Sequence, residues 1–315
     1  MVAADGGLAH RRARRGLSLH LRRAWPALRE ARRSDASRRL PFALLDDGGF
    51  ERRVGSVARA HTGELAGFDA LRVTPRGVVL AVARAERDAA WGRINRALHD
   101  AGLLPGWRDE PYAVRSVAGG PVLAVVERAA ARFFGLLTVA AHANGYVADA
   151  DGRPTRLWIA RRATTKATDP GRLDNLIGGG VPHGQTPFEA LLREGFEEAG
   201  LDAAQVAQAV PGAIVELCRD VPEGLQHEWL HVHDLRLAPE VVPANRDGEV
   251  AEFTCHPIDA ALAIAAAGEM TVDAELVTLD FALRHRLLEA KATAALRARL
   301  DGLCRMPASG GSESA

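Results

Sequence analysis

The residues with the clearest capacity for chemistry lie in one stretch, "GGGVPHGQTPFEALLREGFEEAGL", which runs from Gly178 to Leu201. Glu194, Glu197 and Glu198 stand at i, i+3 and i+4, so a helix places them on one face. Like charges at this spacing repel each other, and a divalent cation such as Mg²⁺, which proteins bind through a few carboxylates, would relieve that repulsion. The alternative is an acidic helix face exposed to water.

Signals at both ends fix the register of this helix. Thr186 is a favourable N-cap, Pro187 suits the first helical position, and Glu189, three residues after the cap, completes a capping box. Gly200 marks the end of the helix. The glycines just upstream of the cap allow the backbone to approach a ligand closely and to offer a carbonyl oxygen.

The longer pattern resembles the signature of the Nudix hydrolases. It consists of Gly179, five residues, Gln185, seven residues and then "REGFEEAGL", which begins at Arg193. In that family the motif forms a loop-helix-loop on an α/β/α sandwich, and it binds Mg²⁺ or Mn²⁺ to hydrolyse a phosphoric anhydride bond in a diphosphate-linked molecule. The resemblance therefore implies a metal-dependent pyrophosphatase with a Nudix α/β/α sandwich, a mixed sheet and a smaller α+β domain before it.

The resemblance also implies a role for each matching residue. Glu194, Glu197 and Glu198 correspond to the metal-binding carboxylates, and Arg193 corresponds to the structural partner that orients a glutamate. The backbone carbonyl of Gly179, or that of Gly178, completes the metal site. We expect a bound Mg²⁺ or Mn²⁺ on these grounds. Such a cation would lower the pKa of an attacking water.

Two positions depart from the family signature. Gln185 stands where a glutamate is usual, and its neutral amide cannot supply charge to a cation although it still accepts a hydrogen bond. Gly195 replaces a bulky aliphatic residue in mid-helix, at a cost of about 1 kcal/mol in helix propensity relative to alanine. Neither change removes the three glutamates.

Two residues are candidates for the general base that activates the attacking water. Glu194 lies in the helix, and Glu249 lies in the later segment "NRDGEVAEF". A carboxylate near the water would accept its proton. For Glu249 the alternative interpretation is an ordinary polar turn at Asp247-Gly248.

Segments outside the helix narrow the resemblance to a subgroup. "LWIARRATTKATDPGRLDNLIGGGVPHG", from Leu157, and "HDLRLAPEVVPANRDGEVAEF", from His233, look like Nudix proteins with an N-terminal uncharacterised domain. These include the Nudix part of fungal thiamine pyrophosphokinase fusions and plant plastid Nudix hydrolases, which are associated with converting thiamine diphosphate and its oxidised analogues to monophosphates. Lys166, together with Arg161 or Arg162, is then a candidate for binding phosphate. Trp107 and Tyr112 are candidate walls for the ring, with core packing as the alternative role of Trp107.

Two other functions remain open at this point. One is a Nudix hydrolase for another substrate, such as a nucleoside diphosphate derivative or coenzyme A. The other is a catalytically weak Nudix domain that senses a ligand. The intact glutamates favour an enzyme over a sensor.

The strand-like segment "HEWLHVHDL" places His227, His231 and His233 on one face, because side chains alternate along a strand. Three histidines on one face are able to bind a transition metal. A sheet face in contact with water is the alternative.

Composition restricts the partners and the compartment. Forty basic and forty acidic residues cancel, so we expect neither nucleic acid nor a membrane surface as a partner. The resemblance implies a small-molecule diphosphate as the partner, and a homodimer is the candidate assembly. The cysteines, Cys218, Cys255 and Cys304, are too far apart for a paired motif, which favours a reducing cytoplasmic location. The longest apolar run, "AALAIAAAG", is much shorter than the roughly 20 residues that a membrane-spanning helix needs.

The order of the segments predicts an α/β protein with a mixed sheet. We expect a basic, partly disordered extension over residues 1–39, a small α+β domain over 40–120, the Nudix domain over 121–300 and a disordered tail over 301–315. The arginine-rich first forty residues also have the composition of an organellar transit peptide.

Overall fold

Two units of strands and helices follow each other in the computed structural model, which describes residues 25–305. The strands are β1 (Arg39–Leu45), β2 (Glu51–Ala58), β3 (Leu71–Thr74), β4 (Gly77–Leu80), β5 (Pro111–Val114), β6 (Ala124–Glu127), β7 (Leu137–Ala148), β8 (Pro154–Arg162), β9 (Leu173–Asp174), β10 (Ile177–Gly180), β11 (Val210–Val221), β12 (Gly224–Arg236), β13 (Val250–Pro257) and β14 (Cys304–Arg305). The helices are α1 (Ala27–Glu30), α2 (Thr62–Leu65), α3 (Arg87–Asp100), α4 (Arg128–Phe133), α5 (Pro187–Glu197), α6 (Ala203–Val206), α7 (Ile258–Ala266), α8 (Val272–Arg284) and α9 (Ala290–Asp301). The predicted mixed α/β class is confirmed.

The smaller N-terminal unit is built on a four-stranded sheet with the order β2-β1-β4-β3. Strand β1 pairs antiparallel with β2 and parallel with β4, so the sheet is mixed. Helix α3 buries its apolar stripe on this sheet, and the ring of Trp91 lies 5.1 Å from that of Phe42 and 5.2 Å from that of Phe134. These aromatic contacts form the centre of the N-terminal core.

A short hairpin of β5 and β6 connects the two units. Pro111 pairs with Glu127 and Val114 pairs with Ala124. The junction that the sequence predicted between residues 120 and 121 therefore falls inside this hairpin. Glycine and proline at its tip have the composition of a linker, but backbone pairing across the tip keeps both arms together.

The larger unit is a mixed sheet with the order β13-β8-β7-β12-β11-β14. The predicted hairpin of β7 and β8 is confirmed, whereas β7 and β12 run parallel. Strand β10 pairs with β7 so that Gly179 lies opposite Ala141. This pairing brings the glycine run to the sheet directly before helix α5.

Alternation along β7 divides the core of the larger unit into two layers. Ala141 faces the layer that contains α5 and α6, and Ala140 faces the layer that contains α1, α7, α8 and α9. The sheet is thus covered by helices on both faces, as the predicted sandwich requires.

The chain is already packed at its first described residue. Trp25 is buried against α8, and the backbone N–H of Ala27 donates a hydrogen bond of 2.8 Å to the carboxylate of Glu275. Residues 1–24 of the predicted extension lie outside the described residues. At the other end, Cys304–Arg305 pairs with β11 as an edge strand, and residues 306–315 of the predicted tail are outside the described range.

Candidate active site

The predicted capping box at the start of helix α5 is confirmed. The Thr186 hydroxyl accepts a hydrogen bond of 3.2 Å from the Glu189 N–H, and the Glu189 carboxylate accepts one of 2.7 Å from the Thr186 N–H. Because the start of the helix is fixed, the direction in which each glutamate of α5 points is also fixed.

Two of the three glutamates point into the protein. Glu194 is 7% exposed and Glu198 is 5% exposed, whereas the Glu197 side chain is 41% exposed. The Gly178 N–H donates to the Glu198 carboxylate at 3.0 Å. A Cβ atom on Gly179 would lie 2.1 Å from Oε1 of Glu194, so the carboxylate rests directly on the glycine backbone. Glu194 and Glu198 are therefore not part of a water-facing acidic surface.

Burial disfavours the charged form of both inner glutamates. Burial and the neighbouring Glu194 raise the pKa of Glu198 to about 8, against the lowering effect of Lys166. Burial also raises the pKa of Glu194, although Arg193 and Arg128 oppose the change. Two neighbouring buried carboxylates are stabilised by added positive charge.

Arg193 supplies part of that charge. Its guanidinium group lies 2.8 Å from the carboxylate of Glu194 and 2.8 Å from that of Glu197. Its Nε also donates to the side-chain oxygen of Gln185 at 3.4 Å. The side chain of Arg193 thus contacts the glutamate that it was predicted to orient.

Lys166 and Glu249 come from two different loops and meet beside Glu198. The Lys166 ammonium lies 3.6 Å from the Glu198 carboxylate and also donates a hydrogen bond to Glu249. Arg108, from the N-terminal unit, donates to the other oxygen of Glu249. Burial pushes the pKa of Glu249 upward, but Lys166 and Arg108 outweigh burial and hold the pKa below its usual value.

The polar turn that was the alternative for Glu249 is also present. The Glu249 N–H donates to the side chain of Asp247 at 2.8 Å, which shapes the turn. The turn then directs the Glu249 carboxylate into the same cleft as Glu194 and Glu198. The two interpretations are compatible, and the role of Glu249 as a base stays a prediction.

The donor set suits a hard divalent cation. Within residues 25–305 no group of three or more His, Cys, Asp or Glu side chains is arranged to enclose a metal ion as it stands. Arg193 and Lys166 neutralise the glutamates in this arrangement. Buried carboxylates with raised pKa values, held against a glycine backbone, are nevertheless the oxygen donors that Mg²⁺ and Mn²⁺ prefer.

The candidate substrate residues are not all at the site. Lys166 lines the cleft with the glutamates, but Arg161 and Trp107 do not. Arg161 donates to the Gly171 carbonyl at 3.1 Å on the outside of β8. The Trp107 indole donates to Asp109 at 2.7 Å and lies under a guanidinium at 3.9 Å. Both predictions rested on nearby sequence, which does not determine the direction of a side chain.

The face of histidines on β12 does not form a metal cluster within the part of the chain that the structure describes. The His227 ring is within 2.9 Å of the Glu216 carboxylate. His231 and His233 lie farther along, where burial lowers the pKa of His231 to about 4. His233 is buried, so the water-facing alternative is wrong for that residue.

Two connected cavities adjoin the glutamates. The first, which we call the acidic cleft, contains the three glutamates of α5 together with Lys166 and Glu249. The second, which we call the inter-domain cavity, has a volume of about 140 Å³ and lies between the β5-β6 hairpin and the larger sheet. Residues common to both cavities are Arg108, Arg128, Lys166, Gly178 and Gly179. A ligand is therefore able to extend from one cavity into the other.

Sequence reasoning missed Arg128 of these cavities, whereas it named Tyr112 as a candidate wall for the ring, and Tyr112 lines the inter-domain cavity. Arg128 extends from α4 and forms an ion pair of 2.8 Å with Glu110. Tyr112 packs its hydroxyl group against the backbone of Gly180. The sequence signal that could have identified Arg128 is a charged residue in a largely apolar helical segment.

Comparison with known proteins agrees with this geometry. Residues 139–277, which contain the glycine run, helix α5 and most of the larger sheet, match the model of the NUDIX domain. Residues 26–138 match a domain of unknown function, DUF4743. The first match thus falls on the larger unit and the second on the smaller unit with its connecting hairpin. The two matches meet after residue 138, beyond the β5-β6 hairpin.

Similar proteins include two plant enzymes and one solved structure. Nudix hydrolase 24, chloroplastic, of Arabidopsis thaliana is 36% identical over 204 residues, which cover 64% of this chain and 55% of the relative. Nudix hydrolase 20, chloroplastic, of the same plant is 36% identical over 201 residues, or 64% of this chain and 53% of the relative. The chain thus spans about half the length of these relatives. The crystal structure of DR0079 from Deinococcus radiodurans is 26% identical, with a TM-score of 0.35, and covers 46% of this chain and 83% of that one.

Among the described residues, no helix is both long and apolar enough to cross a membrane.

Proposed function

We propose that this protein is a Mg²⁺- or Mn²⁺-dependent pyrophosphohydrolase that converts a diphosphate-linked small molecule to its monophosphate. The observation that carries the proposal is the burial of Glu194 and Glu198 against the backbone of Gly178 and Gly179, with Lys166 beside them. Burying two carboxylates together is costly unless positive charge compensates them, and a bound cation would add to the compensation by Arg193 and Lys166. The match of this region to the NUDIX domain supports the same chemistry.

The glutamates of α5 would hold the metal. A bound Mg²⁺ or Mn²⁺ neutralises charge on the diphosphate and lowers the pKa of the attacking water. Glu194 and Glu198 supply the buried carboxylate oxygens, Glu197 supplies one from the more exposed side, and the Gly179 carbonyl completes the set. Arg193 orients Glu194 and Glu197 through its two contacts at 2.8 Å.

The remaining groups bind the substrate and move the proton. Lys166, Arg108 and Arg128 place positive charge where the cleft meets the inter-domain cavity, so they bind the anionic oxygens of the diphosphate. Glu249 is held ionised, so it is able to accept the proton of the attacking water. Water adds to one phosphorus, the bridging P–O bond breaks, and the products are a monophosphate and inorganic phosphate.

We further propose thiamine diphosphate, or its oxidised analogues, as the substrate. The support is the resemblance of the segments beginning at Leu157 and His233 to Nudix proteins of that group, and the presence of the same two-domain arrangement. The finer resemblance to the fungal fusion proteins and the cytoplasmic location stay predictions. The names of the plant relatives place those two proteins in the chloroplast.

A substrate panel tests both levels of the proposal. The purified protein, with Mg²⁺ or Mn²⁺, is incubated with thiamine diphosphate, oxythiamine diphosphate, ADP-ribose and coenzyme A, and released phosphate and monophosphate are quantified. Glu198→Gln keeps the shape of the side chain and removes its charge, so it should abolish turnover. Hydrolysis of the thiamine compounds alone supports thiamine diphosphate as the substrate. Hydrolysis of ADP-ribose or coenzyme A instead supports the pyrophosphohydrolase but contradicts thiamine diphosphate as its substrate. Tight ligand binding without any hydrolysis would instead identify a sensor.

A further inference from the structure

Lys166 lies in a loop that has little apolar packing of its own. Residues 163–171, which we call the Lys166 loop, lie between β8 and β9. None of the apolar side chains of this loop is buried, namely those of Ala163, Ala167 and Pro170. Asp169 has a φ of 48°, in the left-handed region that few non-glycine residues adopt, and such a conformation persists only where the surroundings hold it. The position of the loop therefore depends on polar contacts with the rest of the protein.

Arg162, the last residue of β8, makes such contacts. Its Nε donates to the carbonyl of Asp169 at 3.2 Å, and one terminal nitrogen donates to the carbonyl of Thr168 at 2.9 Å. The other terminal nitrogen donates to the carboxylate of Asp174 at 2.9 Å. The two loop carbonyls belong to the second and third residues after Lys166. All three nitrogens of the guanidinium group thus have acceptors within the protein, in the fixed directions of its planar fork.

Asp174 connects this guanidinium group to the strand that leads into the glycine run. The side chains of Arg162 and Asp174 are 13% and 9% exposed, so water and salt screen their attraction only weakly. The other carboxylate oxygen of Asp174 accepts a hydrogen bond of 2.9 Å from the Asn175 N–H. Gly178, whose N–H donates to Glu198, follows three residues later. Arg162 therefore ties the Lys166 loop to the backbone against which the inner glutamates pack.

These contacts differ from those of a residue that binds phosphate. Arg162 was a sequence candidate for that role, and it lines the inter-domain cavity. The described residues that line the acidic cleft, however, include Lys166 but not Arg162. It is the Lys166 ammonium that contacts both Glu198 and Glu249. Arg162 reaches the cleft only through the loop that it holds.

We propose that Arg162 is a positioning residue that acts through Lys166. It holds the Lys166 loop so that the ammonium lies beside Glu198, where the diphosphate binds, and it does not touch the diphosphate itself. The inference rests on the proposed function, because it assigns a diphosphate oxygen to Lys166. If Arg162 bound phosphate directly, or served only the stability of the fold, its effect on kinetics would not depend on Lys166.

A double-mutant cycle separates these roles. Arg162→Lys keeps the positive charge but loses the planar fork, so it is able to pair with Asp174 without reaching both loop carbonyls. The substitution is made alone and together with Lys166→Met, and kcat and KM are measured with Mn²⁺ and the best substrate of the panel. Arg156→Lys is the matched control, because Arg156 is an exposed residue of the same strand that donates to the carbonyl of Cys255 at 3.1 Å.

We expect Arg162→Lys to raise KM by about tenfold, the size of one charged hydrogen bond, and to change kcat by less than threefold. In the Lys166→Met background the same substitution should change KM by less than twofold, and Arg156→Lys should change neither constant. An equal rise in KM in both backgrounds, or no rise in either, would overturn the inference and leave the proposed hydrolase intact. If Arg162→Lys does not fold, Asp174→Asn replaces it in the cycle, because it removes the charge that anchors the guanidinium group and keeps an oxygen for the Asn175 N–H.

Hydrogen exchange, followed by mass spectrometry, tests the inference without turnover. In Arg162→Lys the amides of the Lys166 loop should lose protection, whereas those of α5 should keep theirs. Unchanged protection of the loop, or an equal loss in α5, would overturn the inference. If the wild type hydrolyses nothing in the panel, the proposed function fails, and the exchange of the loop then decides separately whether Arg162 holds Lys166 in place.

Discussion

Gly179→Ala, which adds one methyl group, should lower activity far more than it lowers stability. In Gly179→Ala the new Cβ would lie 2.1 Å from Oε1 of Glu194, whereas such contacts are essentially never below 3.0 Å. The Cδ and Cγ atoms of Glu194 would lie 2.2 and 2.5 Å from the same Cβ, so the whole end of this side chain must move, by about 0.9 Å at Oε1. Displacing a catalytic group by ~1 Å costs on the order of 10²-fold in rate. The backbone of Gly179 has no positive φ, so the loss of stability comes from moving the buried Glu194 side chain, and we expect about 1–3 kcal/mol.

Two measurements and one control check this expectation. Mn²⁺ affinity is followed by electron paramagnetic resonance, and turnover is followed with the best substrate of the panel. Gly92→Ala is the matched control, because a Cβ on Gly92 meets nothing within 4 Å and that glycine lies in the exposed part of α3. Urea denaturation should show that both variants are folded. If Gly179→Ala keeps Mn²⁺ affinity and turnover within twofold of the wild type, Glu194 does not hold the metal.

Three further predictions concern charge and packing. Burial raises the pKa of Glu275 from 4.5 to about 7, so the folded state favours the protonated form. The contribution of this group to the free energy of unfolding is complete below pH 4.5 and is lost as the pH rises through 7. Glu275→Gln should therefore be more stable than the wild type at pH 8, by at most about 3 kcal/mol, with no gain at pH 4, as urea denaturation at both pH values will show. Lys166→Met removes the ammonium between Glu198 and Glu249, so calorimetry should find tighter Mn²⁺ binding while steady-state kinetics find a higher KM; unchanged values of both would contradict its placement. Trp25→Ala removes a fully buried indole and should lower the free energy of unfolding by about 3–5 kcal/mol; a loss below 1 kcal/mol would show that this segment is not part of the core.

The helix that carries the glutamates was predictable because its signals are local. A cap, a capping box and a glycine stop lie within fifteen residues of one another, so the orientation of Glu194 and Glu198 follows from their spacing to Thr186. Burial of these glutamates could not be read from the same stretch. It depends on the pairing of β10 with β7, which presses the Gly178–Gly179 backbone against α5.

Apart from Tyr112, the walls of the inter-domain cavity were beyond sequence reasoning for a related reason. Four different elements supply Tyr112, Arg128, Glu228 and Asp273. These side chains come together only because the β5-β6 hairpin packs on the larger sheet. By residue type alone, the neighbouring Trp107 was an equally good candidate for a wall of this cavity. Only the direction of each side chain separates the tyrosine, which lines the cavity, from the tryptophan, which does not.

Packing explains one of the two departures from the Nudix signature. A Cβ on Gly195 would lie 2.6 Å from the side chain of Val206 and 3.1 Å from that of Ile177. The helix α5 therefore approaches β10 and α6 more closely than a larger residue allows. The helix-propensity cost of glycine at this position is offset by that close packing, which a propensity scale alone does not register.

Lys166 connects the two cavities in a way that suggests an order of binding. Its ammonium contacts both Glu198 and Glu249, so it acts as their counter-ion. The charge of Glu198 holds the ammonium beside the helix, and that attraction competes with the attraction to a diphosphate oxygen. Lys166 becomes free for phosphate once another cation neutralises Glu198. We therefore expect metal binding to precede productive binding of the diphosphate, and the opposite responses of Mn²⁺ affinity and KM in Lys166→Met follow from that order.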